Sequence, residues 1–208
     1  MARPRSDIRT RVLHTARQRF LMEGVDGASL RRIAEDAKTS IGMVYYYFPT
    51  KDDLFLAVVE EVYQGVLADL LVALEPSLPV TERIGRLYAR VSAMSEEERL
   101  VVRLVLREAL ISSTRLDRII ERFQRGHLPL IIRLVGDGMA DGTFDASIPP
   151  AFIVISMLAL GGPGQLIQRA FESRSPFPAF ASEQKSSERM LGILLRGVGG
   201  QRPSGESS

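Results

Sequence analysis

Three consecutive tyrosines, Tyr45, Tyr46 and Tyr47, stand just before a lysine in the stretch SIGMVYYYFPTKDDL, residues 40–54. A phenol offers a flat apolar ring and one O–H, and a lysine offers three N–H donors and a full positive charge. Such groups suit a partner that is anionic and has flat faces. They do not suit bond-breaking. The rest of the chain is equally poor in reactive groups, with no cysteine and two histidines, His14 and His127, far apart in sequence. There is no glycine-rich phosphate loop and no His/carboxylate spacing of a metal site. Disulfides and thiolate metal sites are excluded, and neither an enzyme, a cofactor nor a metal is expected.

The elements that must carry these residues are helical. Ile8, Val12, Ala16 and Phe20 recur every fourth position with Leu13 beside them, which predicts an amphipathic helix capped by Ser6 and ended by Gly24. Ser29 caps a second segment with Leu30, Ile33, Ala34 and Ala37 on one face. Ser40 opens a third that stops at Pro49. Thr50 and Asp53 form a capping box for a long fourth helix to about residue 75. Helical patterns resume over 80–94, 96–113, 115–124, 127–141, 150–171 and 183–197, and no alternating strand pattern competes. The expected class is all-α. Expected domains are 1–50, 51–200, and a disordered tail at 201–208.

Composition is that of a globular chain, 208 residues with 45% hydrophobic and 25% charged. MARPRSDIRTR has no apolar core of a secretory signal, and the run AFIVISMLALGG is shorter than the ~20 residues a membrane span requires. With no cysteine, a soluble cytoplasmic protein without membrane partners is the expectation. Charge is uneven. Residues 1–51 hold ten Lys/Arg against five Asp/Glu, whereas the whole chain is only +2. A basic head on a mildly acidic body points to a polyanion at the head.

Helix, tight turn and helix within some twenty residues is the geometry that sets a helix into a DNA major groove. At 100° per residue, Ile41, Val44 and Phe48 share the inward face of the third helix. Gly42, Met43 and Tyr46 share the outward face, with Tyr45 and Tyr47 on its flanks. A tyrosine ring can pack on a sugar or a thymine methyl while its hydroxyl donates to a phosphate oxygen. Gly42 permits close approach to base edges. Lys51 adds charge at a helix start that already favours phosphate, and Ser29 and Thr39 can reach phosphates too.

The block RVLHTARQRFLMEGVDGASLRRIAEDAKTSIGMVYYYFPTKDDLF resembles the amino-terminal domain of the tetracycline-repressor (TetR) family. The match is carried by Phe20, Gly24, Ser29, Ile33-Ala34, Ser40, Gly42, Tyr45, Phe48 and Lys51-Asp52-Asp53-Leu54. The resemblance implies a three-helix DNA-binding head on a helical ligand-binding and dimerisation body. It implies a homodimeric regulator, most often a repressor, that leaves double-stranded operator DNA when a small effector binds. Tyr45 and Lys51 would then hold phosphates, and Arg31, Ile41, Gly42, Met43 and Tyr46 would face bases. The chain departs from the family at Lys38, where glycine is usual, and at Thr39, where valine is typical. If that turn residue needs a positive φ, lysine costs about 1 kcal/mol relative to glycine. With Ser40 and Tyr47, the candidate DNA-contact set is Ser29, Arg31, Lys38, Thr39, Ser40, Ile41, Gly42, Met43, Tyr45, Tyr46, Tyr47 and Lys51.

The body is less specific. The resemblance places the dimer interface in helices at about 150–171 and 183–197, and the first of these is apolar nearly all round, which favours a second subunit covering it. Pro163 in the GGPG of 161–164 predicts a kink. EERLVVRLVLREALISS reads as a helix buried on most sides with Arg99, Arg103 and Arg107 as one solvated stripe. Glu108 lies off that stripe and must meet either an arginine of another helix or a ligand donor. Tyr63, Tyr88, Glu108, Phe123, His127 and Met157 are the candidate effector contacts, each with a plain core role as the alternative. The competing function is a helical sensor or adaptor that has lost DNA binding, for which Lys38 is the one supporting feature.

Overall fold

A computed structural model describes residues 5–161 and 192–197. Among the described residues the chain is helices and short connections, with no strand. The helices are α1 (Arg5–Gly27), α2 (Leu30–Asp36), α3 (Ile41–Tyr47), α4 (Lys51–Ala73), α5 (Val80–Ser92), α6 (Glu96–Ile111), α7 (Ser113–Gln124), α8 (Leu128–Ala140) and α9 (Pro150–Gly161). Residues 192–197 are helical as well. The kink expected at Pro163, the tail at 201–208, and most of the two helices assigned to a dimer interface lie outside the described residues.

Packing divides the chain into two compact units, Met1–Val66 with Ser95–Phe123, and Leu67–Met94 with Gln124–Ser208. In the first, α1 packs on α2, α3 and α6. Its core joins Val12, Leu13, Ala16 and Phe20 of α1 to Ile33 and Val44, to Leu54, Phe55 and Val58 of α4, and to Leu104 and Ile119. Phe20 and Phe55 meet edge to face at 6.4 Å. Burying each contributes roughly 1.5–3 kcal/mol before entropy is counted. The helical run of α1 breaks at Gly24, whose φ of 80° and ψ of 165° are open to glycine and strained for other residues. The sequence expected the helix to end there.

In the second unit α5, α8 and α9 pack on one another. Tyr88, Ile84, Leu134, Ile153 and Phe144 are fully buried there. The chain turns after α8 and returns Phe144 over Gly138, whose carbonyl accepts the Phe144 N–H at 2.8 Å. A Cβ on Gly138 would lie 2.5 Å from the Phe144 ring and 3.1 Å from Val80, so only glycine fits. Arg83, also buried, donates to Asp137 at 2.7 Å.

Two expectations are corrected. α6 is not buried on most sides: Val101, Leu104 and Glu108 are buried, but Leu110 is 90% exposed and Ile111 also faces out. Its arginines do not form one solvated stripe either. Arg99 pairs with Glu96 of its own helix, Arg103 is exposed, and Arg107 turns back to donate to the carbonyls of Phe20 and Leu21 at the end of α1. An apolar count marked a buried helix, but α1 and its neighbours occupy only one of its faces. On α9 the all-round apolar composition translates into exposure, with Phe152, Ile155 and Leu158 open to solvent on the single chain.

Candidate nucleic-acid interface

The turn between α2 and α3 is a closed hydrogen-bonded unit. Ser29 caps α2, its Oγ accepting the Arg32 N–H at 3.5 Å. At the other end of α2 the Lys38 N–H donates to Glu35 O and the Thr39 N–H to Ala34 O, both at 3.0 Å. That pair of bonds is a Schellman motif, which needs the residue just after the helix cap Ala37 in the left-handed region. Lys38 supplies it with φ 53°, the only described non-glycine residue with a positive φ. Lysine thus takes the left-handed position where the resemblance led one to expect glycine. Arg11 of α1 adds a bond from its Nε to Ala37 O at 3.0 Å. Ser40 then caps α3, its Oγ accepting the Met43 N–H at 3.2 Å.

The faces of α3 follow the helical wheel. Val44 and Phe48 are buried and Ile41 is half-buried against the core. Tyr45 and Tyr46 are 51% and 68% exposed, Gly42 is exposed, and Met43 is half-buried. Tyr47 is half-buried, stacked edge to face on Tyr46 at 5.1 Å and tilted against Phe48 at 6.3 Å. Gly42 has helical φ, and a Cβ there would meet nothing closer than Ser40 Oγ at 3.8 Å. Nothing within the described chain requires glycine at this position. Arg31, Lys38 and Ser40 are exposed and Thr39 is half-buried. Arg9, absent from the expected contact set, is exposed and lies over the Phe48 ring at 5.8 Å.

α4 starts on a true capping box. Thr50 N–H donates to Asp53 Oδ2 and Asp53 N–H to Thr50 Oγ1, each at 3.0 Å. Lys51, half-buried, spends one N–H on the carbonyl of Asp26 at 2.9 Å, leaving two for another acceptor. Beside it lies the feature that sequence inspection missed. Arg115 of α7, buried, donates through Nε to Asp52 at 2.9 Å and through its two terminal nitrogens to Asp26 and to Glu108, the latter at 2.8 Å. Arg118 donates to Asp53 at 2.7 Å, and Arg122 makes two bonds to Glu60 at 2.5 and 2.8 Å. α7 therefore lays arginines at i, i+3 and i+7 along the acidic side of α4. The hydrogen bond from Arg115 holds the Asp26 carboxyl below its usual range, Arg118 and then Thr50 do so for Asp53, and Arg122 for Glu60. The same bonds, led by that to Asp26, push the Arg115 guanidinium up.

The candidate effector residues are split between the units. Glu108, 1% exposed, is fully engaged: besides Arg115, its Oε1 accepts from Val25 N–H at 3.3 Å and Arg107 Nε at 3.2 Å. Of the two roles open to it, pairing with an arginine of another helix is the one observed. Tyr63 packs on Phe123 with centroids 5.6 Å apart, under the Arg122 guanidinium. In the second unit Tyr88 Oη donates to Met157 O at 3.3 Å, and burial raises its pKa. His127 is half-buried immediately before α8. No cluster of metal-binding side chains occurs among the described residues.

A capped helix-turn-helix with an outward face of hydroxyl-tipped aromatics, on a chain of otherwise helical units, defines a DNA-binding transcriptional regulator. Residues 12–58 match the family of bacterial regulatory proteins, tetR family. The chain is similar to the uncharacterized HTH-type transcriptional regulator YhgD of Bacillus subtilis, with 23% identity over 70% of this chain and 78% of that protein. It is also similar to the HTH-type transcriptional repressor NicS of Pseudomonas putida, 38% identical over 55 residues, 26% of each chain. The fold aligns with the transcriptional regulator FadR of Bacillus subtilis, solved in complex with stearoyl-CoA, at a TM-score of 0.72 and 14% identity over 91% of this chain and 98% of that one. These relatives are regulators rather than enzymes.

Proposed function

We propose that the chain is an effector-responsive repressor that binds a near-palindromic operator as a homodimer. Residues 1–50 form the DNA-binding head and 51–200 the effector and dimer body, working in the cytoplasm. The observation that carries the proposal is Gly42: its helical backbone and the open space around it leave close approach to an external surface as the reason for glycine. Tyr45, Tyr46 and Met43 flank that point, and Lys51 retains two free donors for phosphate. A repressor name on the NicS relative supports repression, and the acyl-CoA complex of FadR supports a small-molecule effector. The exposed Phe152, Ile155 and Leu158 of α9 support a covering second copy. No helix among the described residues is long and apolar enough to cross a membrane.

Selection from a random double-stranded library with ligand-free protein tests this. A two-fold motif with half-sites one turn apart, ~34–36 Å, is expected. Failure to enrich any motif at low salt would favour the sensor that has lost DNA binding.

A further inference from the structure

Arg115 lies in no segment expected to touch DNA, yet its guanidinium gathers carboxylates from three separate parts of the first unit. Asp26 belongs to the turn after the main run of α1, Asp52 to the first turn of α4, and Glu108 to α6. Asp26 also holds Lys51 through its backbone carbonyl. On the α6 side, Arg107 bonds the last carbonyls of α1's main run, and Glu108 accepts from Val25 N–H. The segment from Phe20 to Asp26 and the start of α4 are thus tied at both ends to α6 and α7. Asp26, whose carbonyl holds Lys51, and Asp52, the next residue in the chain after Lys51, are both paired to one buried fork.

We propose that Arg115 is a positioning residue for DNA contact: it fixes the Lys51 ammonium by locking Asp26 and Asp52 to α7. This rests on the function proposed above. The arrangement makes α7 an input to the grip on phosphate. Any displacement of α7 loosens Lys51 without touching the base-facing side of α3. A lysine at 115 would keep the charge but not the planar fork that spans three acceptors.

The test uses full-length protein, the duplex obtained by selection with wild type, and its dissociation constant across a salt series. Arg115→Gln and Arg115→Lys, each checked for native helicity and a cooperative melt, are compared with Lys51→Gln and the Arg115→Gln/Lys51→Gln double variant. Lys51→Gln should weaken binding about tenfold and reduce the salt slope by about one per half-site, the signature of a lost phosphate contact. Arg115→Gln and Arg115→Lys should reproduce both effects, and the double variant should be no weaker than Lys51→Gln, because the two residues act through one contact.

Full retention of affinity by Arg115→Lys would overturn the proposal in favour of simple charge compensation. Additive losses in the double variant would overturn it as well. An inert Lys51→Gln would instead strike at the phosphate role of Lys51, and the proposal would fall with it. Should Arg115→Gln not fold, Asp26→Asn removes an acceptor at an exposed carboxylate while leaving Glu108 paired. A smaller loss in the same direction, absent when Lys51 is already Gln, is then expected, and an unchanged slope would refute the mechanism.

Discussion

Replacing Gly42 with alanine should make the protein more stable and a poorer DNA binder. The added methyl meets no atom closer than 3.8 Å, and the backbone is already helical. There is no clash to charge against it, and alanine restricts the unfolded chain. A glycine inside a helix costs roughly 0.5–1 kcal/mol relative to alanine. Because Gly42 lies in the first turn of a short helix, a gain near the lower end, about 0.5 kcal/mol, is expected. For a chain of this length 1 kcal/mol corresponds to about 2–4 °C, so the melting midpoint should rise by about 1–2 °C. In the complex proposed above the methyl would occupy the closest point of approach to DNA. Overpacking a fitted contact costs about 1–3 kcal/mol, hence a fall in affinity of roughly five- to 150-fold at each half-site. Differential scanning calorimetry and fluorescence anisotropy on the selected duplex measure the two effects. A Gly42→Ala variant that melts higher and binds as tightly as wild type would refute close approach at α3. One that melts lower would refute the open surroundings of Gly42.

Three other changes probe the parts that support this face. Lys38→Gly should relieve the left-handed strain at φ 53° and stabilise by about 1 kcal/mol, whereas Lys38→Ala should give no such gain; equal effects in chemical denaturation would contradict the turn geometry. Gly138→Ala should cost about 1–3 kcal/mol, since its methyl would press into the Phe144 ring, and an unchanged unfolding midpoint would show that this packing is looser than described. Asp26, Asp53 and Glu60 have folded pKa values depressed by Arg115, Arg118 and Arg122, below ordinary values of 3.8, 3.8 and 4.5. Their contribution is therefore complete above those values and lost as pH falls through the folded ones. The melting midpoint should hold from neutral pH to about 5 and then drop, and Glu60→Gln should make the acid limb shallower; a midpoint unchanged down to pH 3 would contradict the ion pairs.

The head was legible because its determinants are local. Caps at Ser29, Ser40 and Thr50 act within three residues, and the faces of α3 follow from helical periodicity alone. Lys38 stood out before its φ was known only because the resembled family usually has glycine there. The arginine ladder was not legible. Arg115 meets Asp52 and Asp26 across 63 and 89 positions of sequence, and only tertiary packing decides which acid faces which base. Charge spacing held a faint trace, with Arg115, Arg118 and Arg122 at helical intervals. The reach of α6 into the core was overestimated for the same reason, since apolar content does not say how many neighbours a helix has.

If the tyrosines at the end of α3 grip DNA, the affinity of Tyr45→Phe for the selected duplex shows it most directly. That change removes one hydroxyl from an exposed ring and leaves the core untouched. A hydrogen bond to a charged phosphate is worth about 1.5–3 kcal/mol, so affinity should fall at least tenfold per half-site with an unchanged melting midpoint. Wild-type affinity in a fully folded Tyr45→Phe would mean that the Tyr45 hydroxyl holds no phosphate.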